Sequence, residues 1–233
     1  MKLSVIICAH NEKNTILEII KRVKEAGLPS GWEREMIVVD NCSTDGTREL
    51  LSGVEKGANT RVVYQKENHG KSHSVRKAIP FCTGDFIIPQ DADLEYDPVD
   101  YFNLIKKALK EKLDVVIGSR VNKKKDFHAY KINEWGIARL TSFTNFLFHT
   151  NYTDVATCYK LMRTSKLKEL KLISNGFNLD FELCAKFAKH NWRVGEINIR
   201  YEARTYKEGR KMRPLTGGLG ALWTILREWI TKD

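Results

Sequence analysis

Within its first 120 residues this chain repeats one pattern: a short apolar run rich in β-branched residues, a polar cluster, then apolar residues at helical spacing. Leu3–Cys8 precedes Asn14–Ala26, where Ile16, Leu17, Ile20 and Val23 share one helix face. Met36–Val39 ends in Asp40–Gly46, ahead of a helix through Leu51. Arg61–Tyr64 leads through Asn68–Lys71 to a helix near Ser72–Ile79. Asp85–Pro89 leads through Gln90–Glu95 to a helix opened by Pro98 and reaching about Glu111, and Asp114–Gly118 closes the series. Apolar runs this short read as buried strands, and strands alternating with helices wind into βαβ units around a mainly parallel sheet. The expected class is therefore α/β. In such sheets ligands gather at the carboxyl ends of the strands, so Asn11-Glu12, Asp40–Asp45, Asp91–Glu95 and Ser119-Arg120 are expected to share one crevice.

After Arg120 the regularity fades. A basic loop is followed by an amphipathic stretch from about Ile132 to Phe148, a turn at Thr153-Asp154 and the run Val155–Met162. A helix over Leu179–His190 and a strand over Val194–Tyr201 come next. Leu215, Leu219, Leu222, Trp223, Leu226, Trp229 and Ile230 then fall on roughly one helical face. Residues 1–213 are expected to form the α/β domain, and 214–233 an amphipathic helix suited to a membrane interface or to packing against the core, each by different residues. No run approaches the ~18 apolar residues that cross a bilayer, and Met1–Leu3 leads straight into a strand rather than a signal sequence, so a cytoplasmic address is expected, peripheral on a membrane face.

Cys8, Cys42, Cys82, Cys158 and Cys184 are odd in number and never spaced Cys-x-x-Cys, and are read as free thiols. Lys and Arg exceed Asp and Glu by 39 − 29 = +10, with five basic residues against one acid in both Arg120–Lys131 and Lys160–Lys171. Such patches favour phosphates or an anionic surface, or are simply a soluble face. They carry no nucleic-acid module, so nucleic acid is not an expected partner.

Asp91-Ala-Asp93 presents two carboxylates from one tight turn after a buried strand, a suitable way to hold a divalent cation that bridges a diphosphate. Glu95 offers a third oxygen ligand, and hard oxygens suit Mg²⁺ or Mn²⁺ rather than zinc. Asp40 ends an apolar strand, where a carboxylate can accept from a ribose or a base. Ser43 and Asp45 are the more natural caps for the helix near Thr47, which leaves Asp40 for a ligand. Glu12 is placed similarly, although a first-turn acid also suits the helix dipole.

In order along nearly the whole chain stand His-Asn-Glu at 10–12, Val-Val-Asp-Asn-Cys-Ser-Thr-Asp-Gly-Thr at 38–47, Asn-His-Gly-Lys at 68–71 and Gly-Asp at 84–85. Asp-Ala-Asp-Leu-Glu at 91–95, Gly-Ser-Arg at 118–120 and Thr-Asp-Val-Ala-Thr-Cys-Tyr-Lys at 153–160 follow. Gly-Phe-Asn-Leu-Asp-Phe-Glu at 176–182 and Tyr-Glu-Ala-Arg-Thr-Tyr-Lys-Glu-Gly-Arg-Lys at 201–211 complete the series. This series resembles glycosyltransferase family 2 with its GT-A fold, and within it the polyprenyl-phosphate sugar transferases, dolichyl-phosphate mannose synthases among them. The resemblance implies a metal-dependent, inverting transfer of a hexose from a UDP- or GDP-sugar to a polyprenyl phosphate at a membrane surface, with a membrane protein as a further candidate partner. It implies Cys8, His10, Glu12, Val38 and Asp40 at the nucleotide and Asp91, Ala92, Asp93 and Glu95 at the diphosphate and metal. Arg120, Arg204 and Arg210 would face phosphates. The mannose synthases usually show Pro and Tyr where Cys8 and His10 stand, an acid at Asn41 and Gln at Glu95, which leaves base and sugar open.

The acceptor decides what else is needed. An anionic lipid phosphate needs cations and no base. Arg139 and Ser142 are the residues expected to receive it, with Phe143, Phe146 and Phe148 facing the chain; a core helix is the alternative. A hydroxyl acceptor, on a glycan or small molecule, needs a carboxylate to take its proton, and Asp180 or Glu182 is the candidate, each of which can equally be an acid of a helix first turn. A non-catalytic basic binding protein is the reading from another class.

Overall fold

The computed structural model describes residues 1–54, 57, 59–121, 131–204 and 214–231. Along the chain run β1 (Lys2–Ala9), α1 (Ile16–Glu25), β2 (Glu33–Asp40), α2 (Thr47–Val54), β3 (Thr60–Tyr64), α3 (Lys71–Ala78), β4 (Phe86–Asp91), α4 (Tyr101–Lys110) and β5 (Val115–Ser119). They continue with α5 (Lys131–Phe148), β6 (Lys160–Arg163), α6 (Thr164–Glu169), α7 (Leu179–Lys189), β7 (Val194–Asn198) and α8 (Pro214–Ile230). The strands form one sheet in the order β3-β2-β1-β4-β6-β5-β7, parallel except for β6, which runs antiparallel between β4 and β5.

Alternate strand residues feed two cores. Leu3, Val5 and Ile7 of β1, with Val38 and Ile88, join the apolar faces of α1, α2 and α4. Ile6, Ile37 and Ile87 join α3, α6, α7 and α8 on the other side. Burial on both faces is why these strands read as continuous apolar runs, and each fully buried Val or Ile contributes about 1.5–3 kcal/mol. Pro98 opens a short 3₁₀ turn rather than α4 itself; the Asp97 carboxylate accepts from the Val99 N–H at 3.0 Å, and the helix proper begins at Tyr101.

Two features of this architecture create the site. Strand β1 pairs with β2 on one side and β4 on the other, so the chain's winding changes direction at β1 and a crevice opens above the β1 and β4 carboxyl ends. There Cys8 lies in register with Asp91. The inserted strand β6 and helix α7 then carry later sequence to the same edge. Helix α8 packs on α5 and α7 through buried Ala221, Thr224, Ile225 and Glu228, leaving Leu219, Trp223, Trp229 and Ile230 exposed.

Candidate active site

A cavity of about 590 Å³ opens at the carboxyl ends of β1 and β4. Its floor is the Asp91–Glu95 turn. Leu94 adopts a left-handed φ of 64° and packs into the core, which reverses the chain directly after Asp93 and leaves Asp91, Ala92, Asp93 and Glu95 all lining the cavity. Each carboxylate is engaged by a cation or a hydrogen-bond donor. The Lys71 ammonium lies 2.6 Å from Asp91 Oδ1 and 2.9 Å from Oδ2. Arg204 donates from Nη2 to Asp93 Oδ2 at 2.9 Å, and its Nη1 lies 3.5 Å from Glu12 Oε2. Glu95 accepts from the Tyr201 hydroxyl at 2.6 Å and from the Arg204 backbone N–H at 2.9 Å.

The electrostatics of the turn remain unbalanced. Burial, with the neighbouring charges of Asp91 and Glu95, pushes the Asp93 carboxyl up to about 7 even with Arg204 beside it. Burial opposes a charge on Lys71, but Asp91 holds its ammonium well above the ordinary range. The Arg204 Nε is buried without a hydrogen-bond partner among the described residues.

At the β1 end, His10 donates from Nδ1 to the Asn41 carbonyl at 2.9 Å and accepts at Nε2 from Asn68 at 3.0 Å. The Asn68 side-chain oxygen accepts from Asn41 at 2.8 Å and from the Gly70 N–H at 2.9 Å, which fixes its amide towards His10. Gly70 sits at φ 81°, and a Cβ there would fall 2.9 Å from Gly176 Cα, so glycine alone lets these loops meet. Across that contact Ser72 Oγ bonds the Gly176 carbonyl at 2.9 Å and accepts from the Leu179 N–H at 3.1 Å. The start of α7 is thereby anchored on α3 and brings Asp180 into the cavity. Lys160, fully buried, donates to the Val155 and Thr157 carbonyls and to Asp180 Oδ1 at 3.1 Å.

Several expected residues stand elsewhere. Val38 is wholly buried in the core beneath β2 and does not line the cavity, because it points to the α1 side of the sheet. Asp40 is also fully buried and outside the lining. Its carboxylate accepts from the Ser43 N–H at 3.2 Å and from Arg48 at 2.7 Å, so it braces the loop after β2. Asp45 does cap α2, accepting from the Thr47 N–H at 3.0 Å. Arg120 reaches the cavity wall, but its guanidinium is clamped by Asp154 at 2.7 and 2.9 Å. Arg139 and Ser142 are exposed on α5 and line no part of the cavity; Arg139 lies over the Trp135 ring, while Phe143 and Phe148 pack into the core. Arg210 lies outside the described residues. Of the two candidate bases, Glu182 is fully buried, accepting from the Ile173 and Ser174 N–H groups at 2.8 and 2.9 Å, and only Asp180 faces the cavity.

Where the sequence placed three metal-ligating carboxylates, no group of three or more His, Cys, Asp or Glu side chains among the described residues is arranged to hold an ion; Glu95 is engaged by Tyr201 and the Arg204 backbone, and Asp91 by Lys71. Sequence reasoning assigned no role to Lys71 or Lys160. For Lys71 the available signal is its place behind Gly70 at the start of a helix.

Residues 4–171 match the Glycosyl transferase family 2 profile. The chain belongs to this family. It is 27% identical over 213 residues to a dodecaprenyl-phosphate galacturonate synthase of Rhizobium johnstonii, covering 88% of this chain and 60% of that protein. It is 25% identical over 210 residues to the glycosyltransferase AglJ of Haloferax volcanii, covering 90% and 66%. The chain thus spans less than two thirds of the length of these relatives. Its fold is that of glucosyl-3-phosphoglycerate synthase from Mycobacterium tuberculosis, solved with Mn²⁺, uridine diphosphate and phosphoglyceric acid. That match has a TM-score of 0.73 at 19% identity and covers 100% of this chain and 80% of the other.

This membership is broader than the expected kinship with polyprenyl-phosphate sugar transferases, which it corrects to the level of the family. The whole fold recurs in an enzyme whose complex holds a small, water-soluble acid. No helix among the described residues is long and apolar enough to cross a membrane. Because that complex holds a small acid rather than a lipid, the polyprenyl phosphate and the membrane surface are withdrawn as partners. The physical reason lies in where the motifs fall: the most specific ones surround the Asp91–Glu95 turn, and the two residues chosen for a lipid phosphate face away from the cavity.

Proposed function

We propose that this transferase moves a hexose from a UDP-sugar to a hydroxyl of a small-molecule acceptor, with Mg²⁺ or Mn²⁺ at the Asp91-Ala-Asp93 turn. The observation that carries the reading is that a single cavity holds this turn at the end of β4 and the Asp180 carboxylate at the start of α7. The uridine diphosphate and Mn²⁺ bound by the mycobacterial enzyme of like fold, solved also with Mg²⁺, support the choice of donor and ion.

The residues present fit a hard divalent cation. Asp91 and Asp93 supply oxygen donors, and the raised Asp93 carboxyl marks a place where positive charge is short. Asp91 and Asp93 would hold the ion, and the bound ion would neutralise charge on the diphosphate. Lys71 and Arg204, already at these carboxylates, add fixed positive charge where the leaving group accumulates negative charge. His10, Asn41 and Asn68 form the rigid rim beside the nucleotide.

Lys160 holds Asp180 Oδ1 and leaves Oδ2 to accept the acceptor's proton. As the O–H proton passes to Asp180, the acceptor oxygen bonds the anomeric carbon. The bond from that carbon to the diphosphate breaks, and its electron pair leaves with the nucleoside diphosphate. A single displacement of this kind inverts the anomeric configuration.

The test is Asp180→Asn, which keeps the Lys160 contact and removes the base. We expect transfer to fall about 10²–10⁴-fold, in the range of general-base catalysis, with UDP-sugar affinity retained in calorimetry. Undiminished transfer in this variant would remove Asp180 as the base and with it the hydroxyl-acceptor reading.

A further inference from the structure

The cavity extends past Asp180 along a wall of different chemistry. There α5 and the start of α7 present Ile137, Leu140, Phe177 and Phe181, and among the described residues this wall carries no cationic side chain. One polar group interrupts it. Asn133 is 9% exposed, and its Nδ2 has no hydrogen-bond partner among the described residues. An unpaired buried donor costs about 1–3 kcal/mol, a cost that an oxygen supplied by a ligand would remove.

Two glycines open the same wall. Gly136 and Gly218 lie within helices and line the cavity, and a Cβ built on either meets nothing within 4 Å. A glycine inside a helix is about 0.5–1 kcal/mol less favourable than alanine, so neither the backbone nor a neighbouring side chain accounts for the missing methyl groups. The volume they leave is cavity volume.

We propose that this wall is a subsite for the apolar body of the acceptor, an aryl or alkyl group bearing an oxygen that accepts from Asn133 Nδ2. The subsite rests on the hydroxyl-acceptor reading above and narrows it: the acceptor is amphipathic, with its hydroxyl at Asp180 and its apolar part between α5 and Phe177. Apolar surface of this kind favours a matching group by about 25 cal/mol per Å² removed from water, enough for one phenyl ring to change affinity at least tenfold.

The experiment compares phenyl β-glucoside with methyl β-glucoside as probes, in the presence of UDP and Mn²⁺. Binding is followed by saturation-transfer NMR and calorimetry, and transfer from a UDP-hexose is followed separately. The wild type should bind the phenyl glucoside at least tenfold more tightly. Gly136→Leu, whose side chain would enter the cavity, should abolish that preference while its Tm stays at or above the wild-type value. Asn133→Ala, which removes that donor, should weaken the binding of both probes. Equal binding of the two glucosides, no binding of either, or a phenyl preference that survives Gly136→Leu would overturn the subsite. Phenyl binding lost in Gly136→Leu without transfer to any hydroxyl would uphold the subsite and overturn the hydroxyl-transfer reading. Transfer to the methyl glucoside with no phenyl preference would do the reverse.

Discussion

Asp93→Asn is expected to lower metal-dependent hexose transfer about 10³-fold while leaving the fold as stable as the wild type or more so, a combination few buried substitutions produce. The loss follows from the geometry of the turn. Asp91 is bound at both oxygens by Lys71, and Glu95 is occupied by Tyr201 and the Arg204 backbone, so Asp93 is the carboxylate that, among the described residues, meets just one arm of Arg204 as its close cationic partner. An amide of the same shape keeps the packing and removes the anionic oxygen. The stability follows from the sign of the pKa shift. Burial and like charge raise the Asp93 carboxyl to about 7 in the folded chain, so the fold disfavours the ionised form at neutral pH, and a neutral amide lifts that strain. Arg204 keeps Glu12 and Glu95 as partners. Turnover titrated against Mn²⁺, alongside thermal unfolding, checks both halves. Full activity would remove Asp93 from the metal site, and a large fall in Tm would mean that its pairing with Arg204 outweighs the repulsion.

How much of this was legible beforehand depended on the range of the interaction. The strands β1 to β5 and their intervening helices announced themselves because burial on both faces makes an uninterrupted apolar run, a local signal. The Asp91–Glu95 turn was legible for the same reason, since its carboxylates follow a buried strand directly. Strand β6 was not, because Lys160–Arg163 is a short run whose antiparallel place between β4 and β5 is set by pairings far away in sequence. Asp40 illustrates the harder failure. A carboxylate at a strand end has the same local setting whether it meets a ligand or an arginine eight residues on, and Arg48 settled it only in three dimensions. Asp180 and Glu182 share a first helical turn, and only the contacts of residues 173 and 174 with Glu182 distinguish the buried acid from the one in the cavity. Arg139 and Ser142 were drawn from a helix whose periodicity does not say which face is wet.

The second large effect belongs to a pair that sequence reasoning split apart. Arg120, after β5, was expected at a phosphate and Asp154 in a turn. The structure locks them together, with Asp154 accepting from Arg120 Nε at 2.7 Å, Nη2 at 2.9 Å and the backbone N–H at 3.1 Å, both side chains nearly or fully buried. Burial opposes either charge, but Asp154 raises the guanidinium well above its ordinary range and Arg120 holds the carboxyl below its own. Asp154→Asn should therefore destabilise the fold by about 3–5 kcal/mol, because it removes the carboxylate charge that balances a buried guanidinium rather than merely deleting a contact. The damage should reach the site as well: the Arg120 guanidinium lies 5.1 Å from the centre of the Tyr201 ring, and the Tyr201 hydroxyl fixes Glu95. Two measurements separate this account from simple loss of packing. The double variant Arg120→Met with Asp154→Leu, which buries no charge, should recover most of the lost stability in urea unfolding. The pH dependence gives the other sign: a depressed carboxyl stabilises the fold above the ordinary carboxylate range and loses that contribution as pH falls through its folded value, so Asp154→Asn should flatten the acid limb of the stability curve. A double variant no more stable than Asp154→Asn, or an unchanged acid limb, would show that the pair fills space rather than balancing charge.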